Sequence, residues 1–443
     1  MITLQEVIQA TGGKLLSGQA ISFSGVSTDT RTIEKTELFF ALKGERFDAN
    51  DFLTEALAKG AGVATNRSDF KADSTGCAIY VRDTLQALQD LAAYVRKRQA
   101  LPITAITGSN GKTTTKEMIA SILGEKYRVL KNKGNLNNHI GAPLTILKLS
   151  EEHEHVVLEF GMSGVGEIRR LGEIASPNCG VITNIGPAHI GILGSLEAIC
   201  DAKCELLESV ESAVVNADDE LLMNRVKRYP GSVVTFSLDR EADVRVRRGD
   251  DSLWLSIQGR SPMPFKLNAP QRFNCYNAAA AAAACYSYGF DGATIVRGLE
   301  NYQGVAMRFE MTQKDGVTII NDAYNANPAS MASAIDELAR FKGQGRLVAM
   351  LGDMLELGGF SEEAHQAIVK KLSILGVDIL VAVGTMMSLA SKTAQGVTVH
   401  TFSNAIEAGR YAGGILQSGD TLLVKGSRGL KMELALKEAL NAL

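Results

Sequence analysis

Glycine, hydroxyl and lysine side chains set between an apolar strand and a helix make a phosphate cradle. The run Ile103-Thr104-Ala105-Ile106-Thr107-Gly108-Ser109-Asn110-Gly111-Lys112-Thr113-Thr114-Thr115 has that order. Gly108 and Gly111 let backbone N–H groups approach phosphate oxygens, the start of the helix adds partial positive charge, and Lys112 can bridge the outer phosphates. Thr113 stands where a hydroxyl would ligate Mg²⁺. A tight turn holding Gly-Lys-Thr by accident would need neither a strand before it nor a helix after it. The loop departs from the general G-x-x-x-x-G-K-[ST] pattern, which would require glycine at 106, where this chain has Ile106.

Two further residues follow strand-like runs in the same part of the chain. Glu159 ends Val156-Val157-Leu158, and His189 closes Asn184-Ile185-Gly186-Pro187-Ala188. A lone residue of either type is structural more often than not, but the ends of strands in an open α/β sheet are where ligands collect. Lys203 is singled out by periodicity: at helical spacing it shares a face with Leu196, Ile199, Cys200, Leu206 and Leu207, and that face should be buried. An unpaired buried ammonium is costly, so the lysine must snorkel outward, pair with an anion or change its chemistry. His153-Glu154-His155 carries metal-binding residue types, yet it follows Ser150-Glu151-Glu152 and reads as a solvated turn. Cys77, Cys179, Cys200, Cys204, Cys275 and Cys285 contain no C-x-x-C pair, which argues for reduced core residues over a disulfide framework or zinc ribbon.

The elements that must position these residues alternate. After Thr84 to Val95, whose apolar spacing suits an amphipathic helix, Leu101-Pro102 breaks the chain. From Ile103 strand and helix then alternate through Val156-Val157-Leu158, Gly180-Val181-Ile182-Thr183 and Ala213-Val214-Val215-Asn216, the order of a parallel, helix-covered sheet. A second series runs through Val317-Thr318-Ile319-Ile320, Leu347 to Leu351, Ile379 to Val383 and Thr421 to Val424, with a boundary near Met307-Arg308. Ala278 to Ala284, preceded by Asn274, Tyr276 and Asn277, reads as a helix with a polar mouth. With 443 residues, and roughly 100 to 200 per domain, two to four domains are expected, with three α/β domains, at 1–99, 100–307 and 308–443, as the working division. The composition, 45% hydrophobic and 21% charged, suits sizeable buried cores. A net charge of -3 offers no general field for polyanions, so nucleic acid is not an expected partner and any phosphate must be held locally. No apolar stretch approaches the ~20 residues that span a bilayer, and Met1 to Glu6 lacks the features of a signal peptide; a cytoplasmic monomer without membrane insertion is expected.

The variant T-G-x-N-G-K-T resembles the loop of the Mur ligases and folylpolyglutamate synthases. Further segments resemble the Mur ligases along nearly the whole chain: Ser27-Thr28-Asp29-Thr30-Arg31, Phe39 to Asp48, Gly134-Asn135-Leu136-Asn137-Asn138, Gly141 to Thr145, Asp322-Ala323-Tyr324-Asn325-Ala326-Asn327-Pro328, Gly352 to Gly358 and Val424-Lys425-Gly426-Ser427-Arg428. Several of these are those of the branch that joins D-alanyl-D-alanine to UDP-N-acetylmuramoyl-tripeptide (UDP-MurNAc-tripeptide). The resemblance implies an N-terminal domain for the UDP end, a central P-loop ATPase with a mainly parallel sheet, and a C-terminal Rossmann-like domain that closes over the site. It implies ATP, two Mg²⁺ ions, and a reaction in which a carboxylate takes phosphate from ATP and the resulting acyl phosphate is attacked by the dipeptide amine. Such a reaction brings anions together and needs fixed positive charge and metal rather than a general base.

Residue by residue, the resemblance puts ATP on Thr107 through Thr114, with Asn274 and Asn277 beside the adenine and Arg308 and Asp322 reaching the nucleotide. It makes Lys112, Lys203 and His189 catalytic, and Thr113, Glu159, His189 and a carbamylated Lys203 metal ligands. It puts Ser27, Thr28, Asp29, Arg31, Lys43 and Gly44 on the UDP-sugar, and Asn135, Asn137, Asn138, Tyr324, Asn325, Asn327, Asp353, Lys425 and Arg428 on the peptide substrates. Gln271 and Phe273 replace the glycine and histidine usual there, and Gly191 stands where several relatives carry an acid. Rival readings are another Mur ligase or a folylpolyglutamate synthase, which would differ in the acceptor-binding domain, and a P-loop ATPase doing conformational work, for which no apolar run ending in Asp is evident. A degenerate regulator would be expected to have lost Lys112, Glu159 or His189.

Overall fold

Short apolar strands with both faces covered build the centre of the molecule, whose computed structural model describes residues 1–19, 22–45, 47–72 and 76–443. Arg46, within one of the resembling segments, lies outside them. Ile103–Thr107, His155–Glu159 and Cys179–Ile182 are buried along their whole length, as parallel strands between helix layers must be. They lie side by side in a nine-stranded sheet, with Ile103–Thr107 between the other two and Val156 opposite Ile103. This register ends all three strands on one edge. The segments that follow, Gly108 to Gly111, Phe160 to Ser163 and Thr183 to Gly186, therefore converge.

The cradle helix, Lys112–Leu123, packs against Arg272–Ser287, in which Ala278 to Ala284 are fully buried. A face of methyl groups lets two helix backbones approach closely, which is what the alanine run does here. The mouth of that helix is polar as expected, with Asn274 and Asn277 buried. The outer strands Val244–Arg248, Leu253–Ile257 and Met263–Phe265 extend the sheet, and the last two pairings are antiparallel.

A five-stranded sheet from the N-terminal residues docks through the helix Thr84–Arg98. Arg96, buried on that helix, donates to the Ala175 and Ser176 carbonyls of the central unit. The C-terminal residues form a six-stranded sheet, parallel except at its edge strand Glu310–Lys314. Between the central and C-terminal sheets, Met307 and Phe309 have φ of 59° and 56°, a left-handed pair that non-glycine residues adopt at a cost. The turn aims the intervening Arg308 back at the cradle. No helix among the described residues is long and apolar enough to cross a membrane.

Three local expectations need correction. His155 is not in a solvated turn: it opens a strand, is buried, and sits edge-on to Tyr288 with Nε2 3.2 Å from Thr104 Oγ1. Burial pushes its pKa down to about 4, so it is a neutral core residue. Leu196, expected on the buried face with Lys203, is exposed in the first turn of its helix, while Ile199, Cys200 and Leu206 are buried. The strands Glu310–Lys314 and Thr398–Phe402 were not apparent from apolar runs.

Candidate active site

Gly108 and Gly111 hold the cradle open by their backbone angles. Gly108 has φ of 142°, and a Cβ there would lie 1.9 Å from Thr183 Oγ1; Gly111 has φ of 83°, and its Cβ would lie 2.2 Å from Asn277 Oδ1. Gly111 is the N-cap of Lys112–Leu123, so the free N–H groups of the first helical turn point into the cavity. A clamp from the adjacent strand end holds the loop: Asn184 Oδ1 accepts from Asn110 N at 3.0 Å, and Ser109 Oγ accepts from Gly186 N at 2.8 Å. Gly111→Ala is therefore expected to weaken ADP binding about tenfold, since left-handed strain alone costs roughly 1–2 kcal/mol before the clash with Asn277. Titration calorimetry giving wild-type ADP affinity would remove this account of the loop.

Charge is arranged around the loop. Lys112 Nζ donates to the Gly108 and Ser109 carbonyls at 2.7 and 3.3 Å, where its position closes the cradle. Burial pushes its pKa down, the Glu159 carboxylate opposes that shift and Arg308 adds to it. Thr113 Oγ1 donates to Glu159 Oε2 at 2.7 Å and accepts from Arg308 Nη2 at 2.9 Å, which joins the central and C-terminal parts of the chain. Glu159 Oε1 accepts from Asn137 Nδ2 at 2.8 Å, and Asn132 pairs with the Glu159 backbone through both ends of its amide. Arg308 also lies 4.1 Å above the ring of Tyr324.

These groups line one cavity of about 640 Å³. It brings together Ser109, Asn110, Gly111, Lys112, Thr113, Thr114, Glu159, His189 and Lys203 with Asn135, Asn137, Asn138, Asn274 and Asn277. From the C-terminal side come Arg308, Asp322, Tyr324, Asn325, Asn327 and Lys425. Asn327 Nδ2 donates to Asn110 Oδ1 at 2.7 Å, directly across the gap. Lys425 is buried and paired with Asp322 at 2.6 Å, so those two charges first satisfy each other. Thr107 stands behind the loop, its hydroxyl donating to Phe160 O at 3.1 Å. Sequence reasoning passed over Asn184 and Tyr276, which also line the cavity; Asn184 follows a strand end as Glu159 does, and that position was its signal.

Other expected residues lie elsewhere. Asp353 Oδ1 accepts from Met387 N at 2.7 Å near the start of Thr385–Ala390, and its side chain does not line the cavity. Arg428 pairs with Glu433 at 3.1 Å outside the cavity, though its guanidinium lies 5.8 Å from the Tyr324 ring centre. Ser27 ends a strand of the N-terminal sheet and Thr28, Asp29, Arg31, Lys43 and Gly44 lie in the loops beyond its strands; none of the six lines the cavity. There Arg31 forms a bidentate pair with Asp29 and holds its carboxyl at about 2, while Gly44 N donates to Phe47 O in an exposed turn.

Patterns of known families match most of this architecture. The Mur ligase middle domain matches residues 106–285, and the Mur ligase, glutamate ligase domain matches residues 307–428. The chain belongs to the Mur ligase family. The UDP-N-acetylmuramoyl-tripeptide–D-alanyl-D-alanine ligase of Bacillus subtilis is 36% identical, over 99% of this chain and 98% of its own. MurF from Acinetobacter baumannii superposes with a TM-score of 0.90 at 33% identity, covering 99% of both chains. MurF from Thermotoga maritima, solved in complex with ADP, gives 0.84 at 27% identity, over 94% of this chain and 97% of its own.

The Mur ligase site fits a magnesium nucleotide. Among the described residues no three His, Cys, Asp or Glu side chains gather into a ready-made metal cage. Mg²⁺ is ordinarily held by one or two carboxylates with phosphates and waters, and the hard oxygens of Thr113 and Glu159 beside the phosphate loop supply that donor set. Lys203 is 2% exposed, and burial, then the charge of Lys112, pushes its pKa well below the ordinary value. His189 Nδ1 lies 2.7 Å from Glu356 Oε2, near enough for an ion pair but outside hydrogen-bond geometry, and the ring lowers the pKa of that carboxyl.

Proposed function

We propose that this Mur ligase joins D-alanyl-D-alanine to UDP-N-acetylmuramoyl-tripeptide, giving UDP-MurNAc-pentapeptide, ADP and phosphate for peptidoglycan precursor synthesis. The observation that carries the reading is the single cavity that unites the phosphate loop with Tyr324, Asn325, Asn327 and Lys425 from the C-terminal sheet. A terminal carboxylate oxygen of the tripeptide attacks the γ-phosphorus of ATP, and the bond to the bridging oxygen breaks as ADP leaves. The dipeptide amine then attacks the acyl carbon, phosphate departs, and the amine proton passes to phosphate or water.

Lys112 and Arg308 lie where negative charge builds on the transferred group, and neither has to be imported from solvent at the moment of reaction. Glu159, Thr113 and His189 would hold Mg²⁺, which when bound neutralises phosphate charge. Lys203 would take up CO₂ through its neutral amine, forming an N–C bond and releasing one proton, to give the carbamate that completes a second metal position. Asn274, Asn277 and Tyr276 would border the base, and the Ser27 to Arg31 and Lys43-Gly44 segments the UDP end. Asp353 and Arg428 would act on the peptide only through their neighbours, since neither lines the cavity. We take the units to be 1–99, 100–307 and 308–443, and the enzyme to be a cytoplasmic monomer, because one chain completes the cavity.

Phosphate release tests the reading. With ATP, Mg²⁺ and UDP-MurNAc-tripeptide, sustained release at on the order of 1–10³ s⁻¹ is expected only when D-alanyl-D-alanine is present. Release indifferent to the dipeptide would favour an ATPase doing conformational work, and dependence on another amino acid would favour another amide ligase.

A further inference from the structure

The segment that carries His189 is also a docking point for the C-terminal unit. His189 has φ of 61° and Glu356 has φ of 64°, so two non-glycine residues are held left-handed on opposite sides of one contact. Gly191 N donates to Glu356 O at 3.2 Å. A Cβ at Gly191 would lie 2.5 Å from Gly358 N, 2.6 Å from Leu357 C and 2.7 Å from Glu356 O, all backbone atoms with little freedom to move. Ile190 packs against the hydrophobic clusters of both units. The same segment continues through Gly194 and the Ser195 cap into Leu196–Cys204, the helix of Lys203.

Strained residues at a contact persist only where the surroundings over-determine them, and here the opposite unit supplies part of those surroundings. Glu356 is otherwise half-exposed, and among the described residues its carboxylate pairs with no group of its own unit. Were the units to separate, His189 would lose its carboxylate neighbour, Gly191 its backbone acceptor and Ile190 its contact with the C-terminal cluster.

We propose that Glu356 is a positioning residue whose contact with His189, seated by the Gly191–Gly358 backbone approach, couples closure of the C-terminal unit to the orientation of His189. This rests on the reading of His189 as part of the ligase machinery. The coupling makes the site complete only when the units are closed, so that acyl phosphate forms in a chamber already shielded from water.

Two variants test it in the full chain: Glu356→Gln, which keeps size and removes charge, and Gly191→Ala, which props the backbones apart. Small-angle scattering with UDP-MurNAc-tripeptide and a non-hydrolysable ATP analogue should show both variants less compact than wild type. In ligation, kcat should fall roughly 10- to 100-fold, while KM for the UDP substrate, bound on the distant N-terminal sheet, should stay within about twofold. Glu356→Asp, which keeps the charge one methylene short, should recover part of kcat. Wild-type compaction or wild-type kcat in both variants would overturn the coupling. A wild-type protein that ligates nothing would overturn the proposed function instead, and scattering would still report whether the contact controls closure.

Discussion

Lys112→Ala is expected to lower ligation about a thousandfold or more, a loss of roughly 4 kcal/mol of transition-state stabilisation. The reason lies in what Nζ touches. Among the described residues it donates to two carbonyls of its own loop, Gly108 and Ser109, in surroundings that push its pKa down. An arriving polyphosphate exchanges those weak acceptors for anionic oxygens that favour the charged form, so the lysine binds most strongly as charge develops on the transferred phosphoryl group. Alanine removes that charge and leaves the fold intact, because the helix start depends on Gly111 and on the pairing of Thr113 with Glu159. Circular dichroism should show a melting temperature close to wild type, with ADP affinity reduced. A folded Lys112→Ala enzyme turning over near the wild-type rate would defeat the assignment.

What could be read from the sequence was local. The cradle, the strand ends at Glu159 and before Asn184, and the buried helical face at Lys203 each follow from a few neighbouring residues and a known period. The alanine run was legible as a helix, though not that its bareness serves contact with the cradle helix. Pairings between distant segments were not legible: nothing in Ile103–Thr107 tells that its neighbours are His155–Glu159 and Cys179–Ile182. The same holds for Arg308 on Thr113, Asn327 on Asn110 and Glu356 at His189, which exist only once two sheets face each other. The Glu310–Lys314 strand escaped notice because every residue in it is exposed and polar or flexible, so no alternation marks it. His155 was hidden by its charged neighbours, although Thr104 and Tyr288 receive it in the core. Asp353 shows the converse: its motif points to substrate, while its carboxylate is engaged by the backbone at Met387 and does not line the cavity.

Lys203→Ala is expected to reduce ligation on the order of 100- to 1000-fold, with acetate or another short carboxylic acid restoring part of it. The helical face put this lysine inside, and it is 2% exposed at the cavity wall. Among the described residues no carboxylate is seen to pair with it; the neighbouring charge is Lys112, and the thiols of Cys200 and Cys204 lie nearby. Burial, and then the charge of Lys112, push its pKa well below the ordinary value, which favours the neutral amine. A neutral amine is the form that attacks CO₂. A carbamate there would turn the interaction into an attraction, since Lys112 would then face an anion. The proposed modification would thus remove the misfit of a lysine buried against a lysine and supply the hard oxygens that Mg²⁺ prefers. Alanine leaves a space at the end of the cavity into which a small carboxylate can diffuse, and this is why rescue by acid is the discriminating result. Carbon-13-enriched bicarbonate should give a carbamate resonance in wild type that is absent from Lys203→Ala, and a high-resolution map should show the added group on Nζ. Full Mg²⁺-dependent activity of Lys203→Ala without added acid would refute the modification, and loss of activity that no acid restores would assign the lysine to direct contact with phosphate.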